Sequence, residues 1–140
     1  MRVLITGGYG FIGAWIAKNL LAAGDQVFSY DLREDHRRLK LILSDEQIRQ
    51  VKFVEGDVTN VSALSNAVKS HGITHVIHLA GLQVPTCRAN PLLGATVNVL
   101  GTLAVFEAAK AAGPQVQRVV YASSAAVFGG PDKYPQSQYP

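Results

Sequence analysis

The chain has 140 residues, of which 48% are hydrophobic and 16% are charged, which is typical of one compact globular domain and excludes low-complexity disorder. Its formal net charge of +3 is scattered rather than gathered into a basic stripe, so the sequence predicts no nucleic-acid partner. The densest charged stretch, residues 33–40, mixes both signs and is expected to form a solvated helix face.

Nothing in the sequence predicts secretion or a membrane partner. The single cysteine, Cys87, cannot form an internal disulfide. An apolar strand follows Met1 without a charged leader, and we expect no apolar run of the length that crosses a membrane. These features predict a cytoplasmic protein.

Short β-branched runs alternate with longer helical segments, which is the pattern of a parallel sheet covered by helices on both faces. The predicted strands are residues 2–5, 26–30, 51–54, 74–79 and 117–122. The predicted helices are residues 11–23, 35–50, 61–70 and 91–112. Right-handed crossovers then predict strand order 3-2-1-4-5 in a three-layer, doubly wound α/β fold of Rossmann type.

Three glycines, Gly7, Gly10 and Gly13, lie between the first strand and the first helix. Such glycines permit a tight turn, let the backbone approach a pyrophosphate, and let the helix pack closely on the strand. Asp31 ends the second strand, where a carboxylate accepts hydrogen bonds from the adenosine ribose and repels a 2′-phosphate. The pattern predicts NAD, with NADP less favoured although Arg33 lies nearby. The remaining alternative is an ordinary strand–helix turn beside a surface aspartate.

With these residues in place, the chain resembles an extended short-chain dehydrogenase/reductase of the NAD-dependent epimerase/dehydratase family, over residues 1–129. The glycine loop matches the family's cofactor loop, with Phe11 and Ile12 as its apolar pair. The resemblance implies further cofactor-binding positions after strand three, at the end of strand four and in the long helix: Asp57, Val58, Leu79, Ala80, Gly81 and Asn98.

Residues 123–129 resemble the family's active-site motif after strand five, with Phe128 where a tyrosine is more usual. The resemblance implies that Ser124 is catalytic and hydrogen-bonds the reacting hydroxyl or carbonyl group of the substrate. Structural alternatives stay open: Asp57 could cap the following helix, Asn98 could bond to backbone, and Ser124 could bond locally.

No metal site is expected, because a spacing of three places His75 and His78 on opposite faces of a strand.

The family's chemistry also needs a tyrosine with a lysine four residues later, because the lysine lowers the pKa of the phenol. This pair is absent: Gln138 is the fourth residue after Tyr134, and Pro140 directly follows Tyr139. We therefore expect a partial NAD(P)-binding domain over residues 1–129 and a coil tail over residues 130–140, leading to a C-terminal part outside this chain. The truncation would expose apolar surface near strand five, so we expect marginal stability or self-association.

Three functions stay open at this point. The first is the NAD-binding part of a nucleotide-sugar epimerase or dehydratase, which acts by transient hydride transfer and is inactive as this chain alone. The second is a non-catalytic NAD-binding module, and the third is a dehydrogenase of a non-sugar alcohol such as a steroid. A flavodoxin-like domain fits poorly, because such domains do not combine this glycine spacing with Asp31. Oligomeric state is also open, with a homodimer through residues 91–112 as one alternative.

Overall fold

The structure, a computed structural model, describes residues 1–124 and residue 127. In this part of the chain, parallel strands form a single sheet in the order β3-β2-β1-β4-β5, which confirms the predicted strand order. The strands are β1 (Arg2–Thr6), β2 (Gln26–Asp31), β3 (Val51–Glu55), β4 (His75–His78) and β5 (Arg118–Tyr121).

The helices lie between the strands in sequence and on both faces of the sheet. They are α1 (Phe11–Ala22), α2 (Asp45–Gln50), α3 (Val61–Ser70), α4 (Val84–Ala89), α5 (Pro91–Ala95) and α6 (Gly101–Ala112). One core packs Leu4, Phe28 and Val76 of the sheet with α3 and α6, and the other packs Val3 and Val27 with α1 and α2. The fold therefore has three layers, as predicted.

The register brings the carboxyl ends of the strands to one edge of the sheet. Thr6 pairs with Tyr30 on one side and with His78 on the other. The chain leaves β1 toward β2 and β3 and later returns to place β4 on the opposite side, so the strand order reverses beside β1. In open α/β sheets such a switch point leaves a crevice where ligands bind.

The predicted helix over residues 35–50 is wrong. A 3₁₀ turn at Leu39–Leu41 and the short helix α2 replace it. Ser44 starts α2 with a capping box, in which its hydroxyl accepts from the N–H of Gln47 and the Gln47 side chain accepts from the N–H of Ser44. This cap favours a new helix start over continuation of an earlier one. Residues 33–38 consequently form a loop, not the expected helix face.

The long predicted helix over residues 91–112 is continuous but not uniformly α-helical. Its middle segment, Thr96–Leu100, is a π-helix between α5 and α6. The helical segment Pro91–Gln115 is 25 residues long and contains an 18-residue window with a mean hydropathy of 1.6, so by length and composition it could span a membrane. The expectation that no apolar run reaches that length is therefore wrong. Ala104, Val105 and Ala108 of this segment are buried in the core against the sheet and α3.

Large apolar side chains are exposed where α6 meets β5. Leu103 and Phe106 of α6, and Val120 and Tyr121 of β5, all retain substantial exposure. The rings of Phe106 and Tyr121 meet edge to face with their centroids 5.8 Å apart. This is the apolar surface expected near strand five, and its effect on association stays a prediction.

Candidate cofactor-binding site

A cleft of about 580 Å³ opens at the carboxyl edge of the sheet, beside the switch point. The glycine loop, the ends of β2 and β4, and the segment after β3 line it. The predicted site residues among its lining are Gly7, Gly10, Asp31, Asp57, Val58, Leu79, Ala80 and Gly81. Phe11, Ile12, Gly13, Asn98 and Ser124 are not in the lining. Residues that sequence reasoning singled out on separate segments thus meet around one cavity.

Backbone atoms leave no room for a Cβ at Gly7, Gly10 or Gly13 of the glycine loop. Gly7 has a φ of +69°, and a Cβ there would lie 2.9 Å from the backbone nitrogen of Ala80. A Cβ on Gly13 would lie 2.6 Å from the carbonyl oxygen of Gly8. The loop therefore lets β1, β4 and the start of α1 approach one another more closely than side chains would permit.

Helix α1 begins directly at this loop, with Gly10 as its N-cap residue and no side-chain cap. Within the part of the chain that the structure describes, no acceptor pairs with the N–H groups of Phe11, Ile12 and Gly13. The Phe11 and Ile12 side chains are exposed. Unpaired N–H groups and the positive end of the helix dipole together favour a bound anion such as a phosphate.

Asp31 stands at the end of β2, half-buried, with its carboxylate accepting a hydrogen bond from the N–H of Leu32 at 3.0 Å. Burial raises the pKa of this carboxyl, while the backbone N–H groups of Leu32 and Tyr9 and the charge of Arg33 oppose that rise. The carboxylate thus lies at the cleft wall, as an acceptor for hydroxyl groups.

Sequence reasoning missed the cationic side chains of the neighbouring wall. Arg37 and Arg38 line the cleft with Arg33, in the stretch that was interpreted as a solvated helix face. Arg37 is paired with Asp35 through a 2.7 Å contact, which lowers the pKa of the Asp35 carboxyl and raises that of the guanidinium. The signal that could have identified these arginines is their position, because a charged loop directly after β2 lies at the carboxyl edge of the sheet, where ligands bind.

Asp57 follows β3 and lines the cleft beside the buried Val58. Its carboxylate accepts from both the N–H and the hydroxyl of Thr59, each at 2.8 Å. The N-cap of α3 is instead Asn60, whose side chain accepts from the N–H of Ala63. The alternative that Asp57 caps this helix is therefore wrong, and its carboxylate stabilises the turn before the cap.

Asn98 lies in the middle of the π-helix and contacts the cleft only through another segment. Its Oδ1 accepts from the N–H of Leu82 at 2.7 Å, and its Nδ2 donates to the carbonyl oxygen of Leu82 at 3.0 Å. These bonds agree with the alternative that the Asn98 side chain bonds to the backbone. Asn98 holds the segment after β4 in place, and a direct contact with a cofactor stays a prediction.

Ser124 follows β5 at the same edge of the sheet and is exposed. Its carbonyl oxygen accepts from the N–H of Val127 at 3.1 Å. Most of the remaining motif, including Phe128, lies outside the described residues, as do Tyr134 and Tyr139. The catalytic role of Ser124 therefore stays a prediction.

Comparison with known proteins agrees with these features. The family of GDP-mannose 4,6 dehydratase matches residues 4–139. A UDP-glucose 4-epimerase of Klebsiella pneumoniae is 37% identical over 137 residues, covering 96% of this chain and 97% of that protein. A UDP-glucose 4-epimerase of Erwinia amylovora is 36% identical over 135 residues, covering 92% of this chain but 38% of its own length.

Solved structures show the same relationship. The UDP-glucose 4-epimerase of Stenotrophomonas maltophila, with bound NAD and formylated UDP-arabinopyranose, superposes with a TM-score of 0.79 at 28% identity, covering 96% of this chain and 40% of its own. The enzyme of Bifidobacterium longum, in complex with NAD⁺ and UDP, gives a TM-score of 0.77 at 32% identity, covering 92% and 38%. The chain thus spans about two-fifths of these structures, and it belongs to the GDP-mannose 4,6 dehydratase family of NAD-dependent epimerases and dehydratases, as its motifs predict.

Proposed function

We propose that this chain binds NAD and is the cofactor-binding part of a nucleotide-sugar epimerase or dehydratase that works by transient hydride transfer. The observation that carries the proposal is the meeting of the glycine loop and Asp31 at one cleft. The related epimerases of known structure contain NAD, and this chain matches about two-fifths of each of those proteins. The proposal extends that chemistry to the residues described above.

Different residues of the cleft fit different parts of a dinucleotide. The unpaired N–H groups at the start of α1 would hold the pyrophosphate, since Gly7 and Gly13 keep side chains out of its way. Asp31 would accept hydrogen bonds from the adenosine ribose, and Asp57 and Val58 would flank the adenine. Bound NAD supplies a hydride acceptor, and the protein supplies its binding and orientation.

We expect NAD to bind more tightly than NADP. The carboxylate of Asp31 would repel a 2′-phosphate at the ribose it holds. Arg33 and Arg38 line the neighbouring wall and would attract the same phosphate, which lessens the difference. The preference therefore depends on Asp31, and replacing Asp31 should shift it toward NADP.

The catalytic half of the proposal rests on fewer residues of this chain. Ser124 would hydrogen-bond the reacting oxygen of the sugar. The general acid/base would come from a tyrosine with a lysine four residues later, and this sequence contains no such pair. We expect the 140-residue chain by itself to bind NAD without turning over a sugar. A non-catalytic NAD-binding module is the second candidate function, and the missing pair is the observation that favours it.

Calorimetric titration with NAD⁺ and NADP⁺ tests the cofactor proposal, with the native chain beside Asp31→Ala. Saturable binding that prefers NAD⁺, and that loses this preference in the variant, is the expected result. A folded native chain that binds neither dinucleotide would overturn the proposal. Adding a UDP-sugar to the NAD⁺-loaded chain should leave absorbance at the reduced nicotinamide band unchanged, because the tyrosine–lysine pair is absent from this sequence. Reduced cofactor in this assay would contradict the expected inactivity of the 140-residue chain and exclude the non-catalytic module.

A further inference from the structure

A buried histidine, His78, lies behind the cleft and has no part in the proposed binding contacts. It is the last residue of β4 and is 4% exposed. Its Nδ1 lies 2.6 Å from the hydroxyl oxygen of Thr6, and its Nε2 lies 3.0 Å from the hydroxyl oxygen of Thr102. The imidazole thus links the end of β1 to helix α6 across the end of β4.

The hydrogen bonds around the two threonines determine which ring nitrogen carries the proton. Thr6 Oγ1 already accepts from the N–H of Ala80 at 3.3 Å and from the N–H of Leu79 at 3.2 Å, which the carbonyl oxygen of Thr6 shares at 3.1 Å. A hydroxyl oxygen has two lone pairs, so a third N–H from Nδ1 would exceed its capacity. Thr6 therefore donates its hydroxyl hydrogen to Nδ1, and the proton of the neutral ring sits on Nε2.

The other end of the chain of hydrogen bonds agrees with this assignment. Thr102 donates its hydroxyl hydrogen to the carbonyl oxygen of Asn98 at 2.7 Å, so its oxygen is left to accept from Nε2–H of His78. Each N–H or O–H hydrogen in this network then has an acceptor, and the N–H of Leu79 is shared between the hydroxyl and carbonyl oxygens of Thr6. The same Asn98 holds Leu82 through its side chain. Both ends of residues 79–82, which line the cleft, are consequently attached to one network.

We propose that His78 is a positioning residue, whose neutral imidazole holds residues 79–82 in the shape that lines the cofactor cleft. Its use in cofactor binding rests on the proposed function, while the positioning itself does not. His78 touches no substrate or cofactor and acts through Thr6, Thr102 and the backbone that they hold.

Protonation of His78 would break this arrangement. A second ring proton on Nδ1 would face Thr6 Oγ1, which already accepts two N–H groups. Burial lowers the pKa of His78, and no charged side chain among the described residues contributes to that shift. At the level of His78 in the sheet, the titratable side chains are phenols: Tyr121 is its register partner on β5, and Tyr30 is the register partner of Thr6 on β2. The ionisable residues Arg2, His75 and Arg118 lie at the opposite, amino ends of β1, β4 and β5, and Glu107 and Lys110 of α6 are exposed. The neutral form is therefore the form in which the network closes.

The chain offers a matched pair of variants for the test. Thr102→Val removes the acceptor of Nε2–H together with a hydroxyl bond to the carbonyl four residues earlier. Thr96→Val removes the same kind of bond, from Thr96 to the carbonyl of Leu92 at 2.9 Å, without touching His78. Thr102→Ser restores the hydroxyl. Comparing Thr102→Val with Thr96→Val therefore separates the loss of the contact with His78 from the loss of a threonine hydroxyl bond to a helix carbonyl oxygen.

The first readout needs no cofactor. Ring ¹⁵N spectra of the native chain should show His78 as the Nε2–H tautomer, and backbone amide exchange should show Ala80 and Leu82 protected. Thr102→Val should raise the exchange rates of these amides about fivefold or more, since it leaves a buried donor unpaired. Thr96→Val should leave the rates within about twofold, and Thr102→Ser should restore them. Unchanged exchange in Thr102→Val, or an Nδ1–H tautomer in the native chain, would overturn the proposal.

The second readout is the dissociation constant for NAD⁺, measured from pH 8 down to pH 5.5. In the native chain, binding should weaken as the imidazole protonates, and Thr102→Val should bind about fivefold or more weakly at pH 8. If the native chain does not bind NAD⁺ but the amide-exchange results hold, the cofactor proposal alone fails. If NAD⁺ binds equally well to Thr102→Val, the positioning role in cofactor binding is wrong.

Discussion

The N–H of Gly7 donates to the carbonyl oxygen of Tyr30 at 3.0 Å, which ties the first glycine of the loop to the strand end that carries Asp31. The groups proposed to hold the pyrophosphate and the ribose therefore share one rigid frame. Neither could shift without breaking this bond or the pairing of Thr6 with Tyr30. Such a frame is what a site needs if it is to hold an extended ligand by both parts at once.

The first prediction concerns the glycine loop. Gly7→Ala should lower the free energy of unfolding by about 2 to 4 kcal/mol, because the new Cβ combines an unfavourable φ with a clash against the backbone of Ala80. Gly24→Ala is the control, since Gly24 has a φ of +78° with nothing within 4 Å of its Cβ position. It should cost only about 1 to 2 kcal/mol. If urea unfolding shows that Gly7→Ala and Gly24→Ala lose the same free energy of unfolding, the backbone of Ala80 does not obstruct a side chain at position 7.

The second prediction concerns pH. Burial raises the pKa of Asp31, so its carboxylate protonates at a higher pH than that of an exposed aspartate. Affinity for NAD⁺ should fall as the pH drops toward this raised value, because the protonated group accepts hydrogen bonds less well. Asp31→Asn should bind more weakly at neutral pH and should lack this acidic step. The effect of His78 remains in that variant, so calorimetry over pH 8 to 4 on both proteins distinguishes the two groups.

The third prediction concerns Asn98. Asn98→Ala should lower the free energy of unfolding by about 1 to 3 kcal/mol, because it leaves the N–H and carbonyl of Leu82 without their side-chain partners. Asn66→Ala, on the exposed face of α3, is the matched control and should change stability by less than about 0.5 kcal/mol. If both variants lose a similar free energy of unfolding, water replaces the side-chain amide of Asn98 as the partner of the Leu82 backbone.

The fourth prediction concerns association. The exposed Leu103 and Phe106 should drive the isolated chain to associate, as a sizeable apolar patch does in water. Leu103→Lys combined with Phe106→Lys should lower the average mass seen by sedimentation. Leu41→Lys, which removes an apolar side chain that is 75% exposed at a separate place, should leave it unchanged. A native chain that sediments as a monomer at high concentration would contradict the prediction.

The sequence predicts the strand order and the residues of the cleft because the signals for both are local. Glycines between a strand and a helix, with an acidic residue ending the next strand, need few neighbours to be recognised. The helix predicted over residues 35–50 failed although Ser44 and Gln47 have capping-box spacing, since the apolar periodicity of Leu39, Leu43 and Ile48 was given more weight. Those three residues are indeed buried, so the periodicity identified the core but not the helix.

Other features depend on contacts between distant parts of the chain. The role of Asn98 follows from its bonds to Leu82, sixteen residues away, and from the π-helix that carries it. His78 meets Thr6 across a separation of 72 residues and Thr102 across 24. Periodicity and spacing carry no information on such pairs, and only the folded arrangement brings them together.

The most direct test of the central claim is to map where NAD⁺ binds. Assigned amide spectra of the chain, recorded with increasing NAD⁺, would locate the site residue by residue. We predict the largest saturable changes at Gly7, Ile12, Gly13, Asp31 and Ala80, with β5 and α3 little affected. Changes confined to other segments, or no saturable change in a well-folded chain, would contradict the assignment of this cleft to NAD.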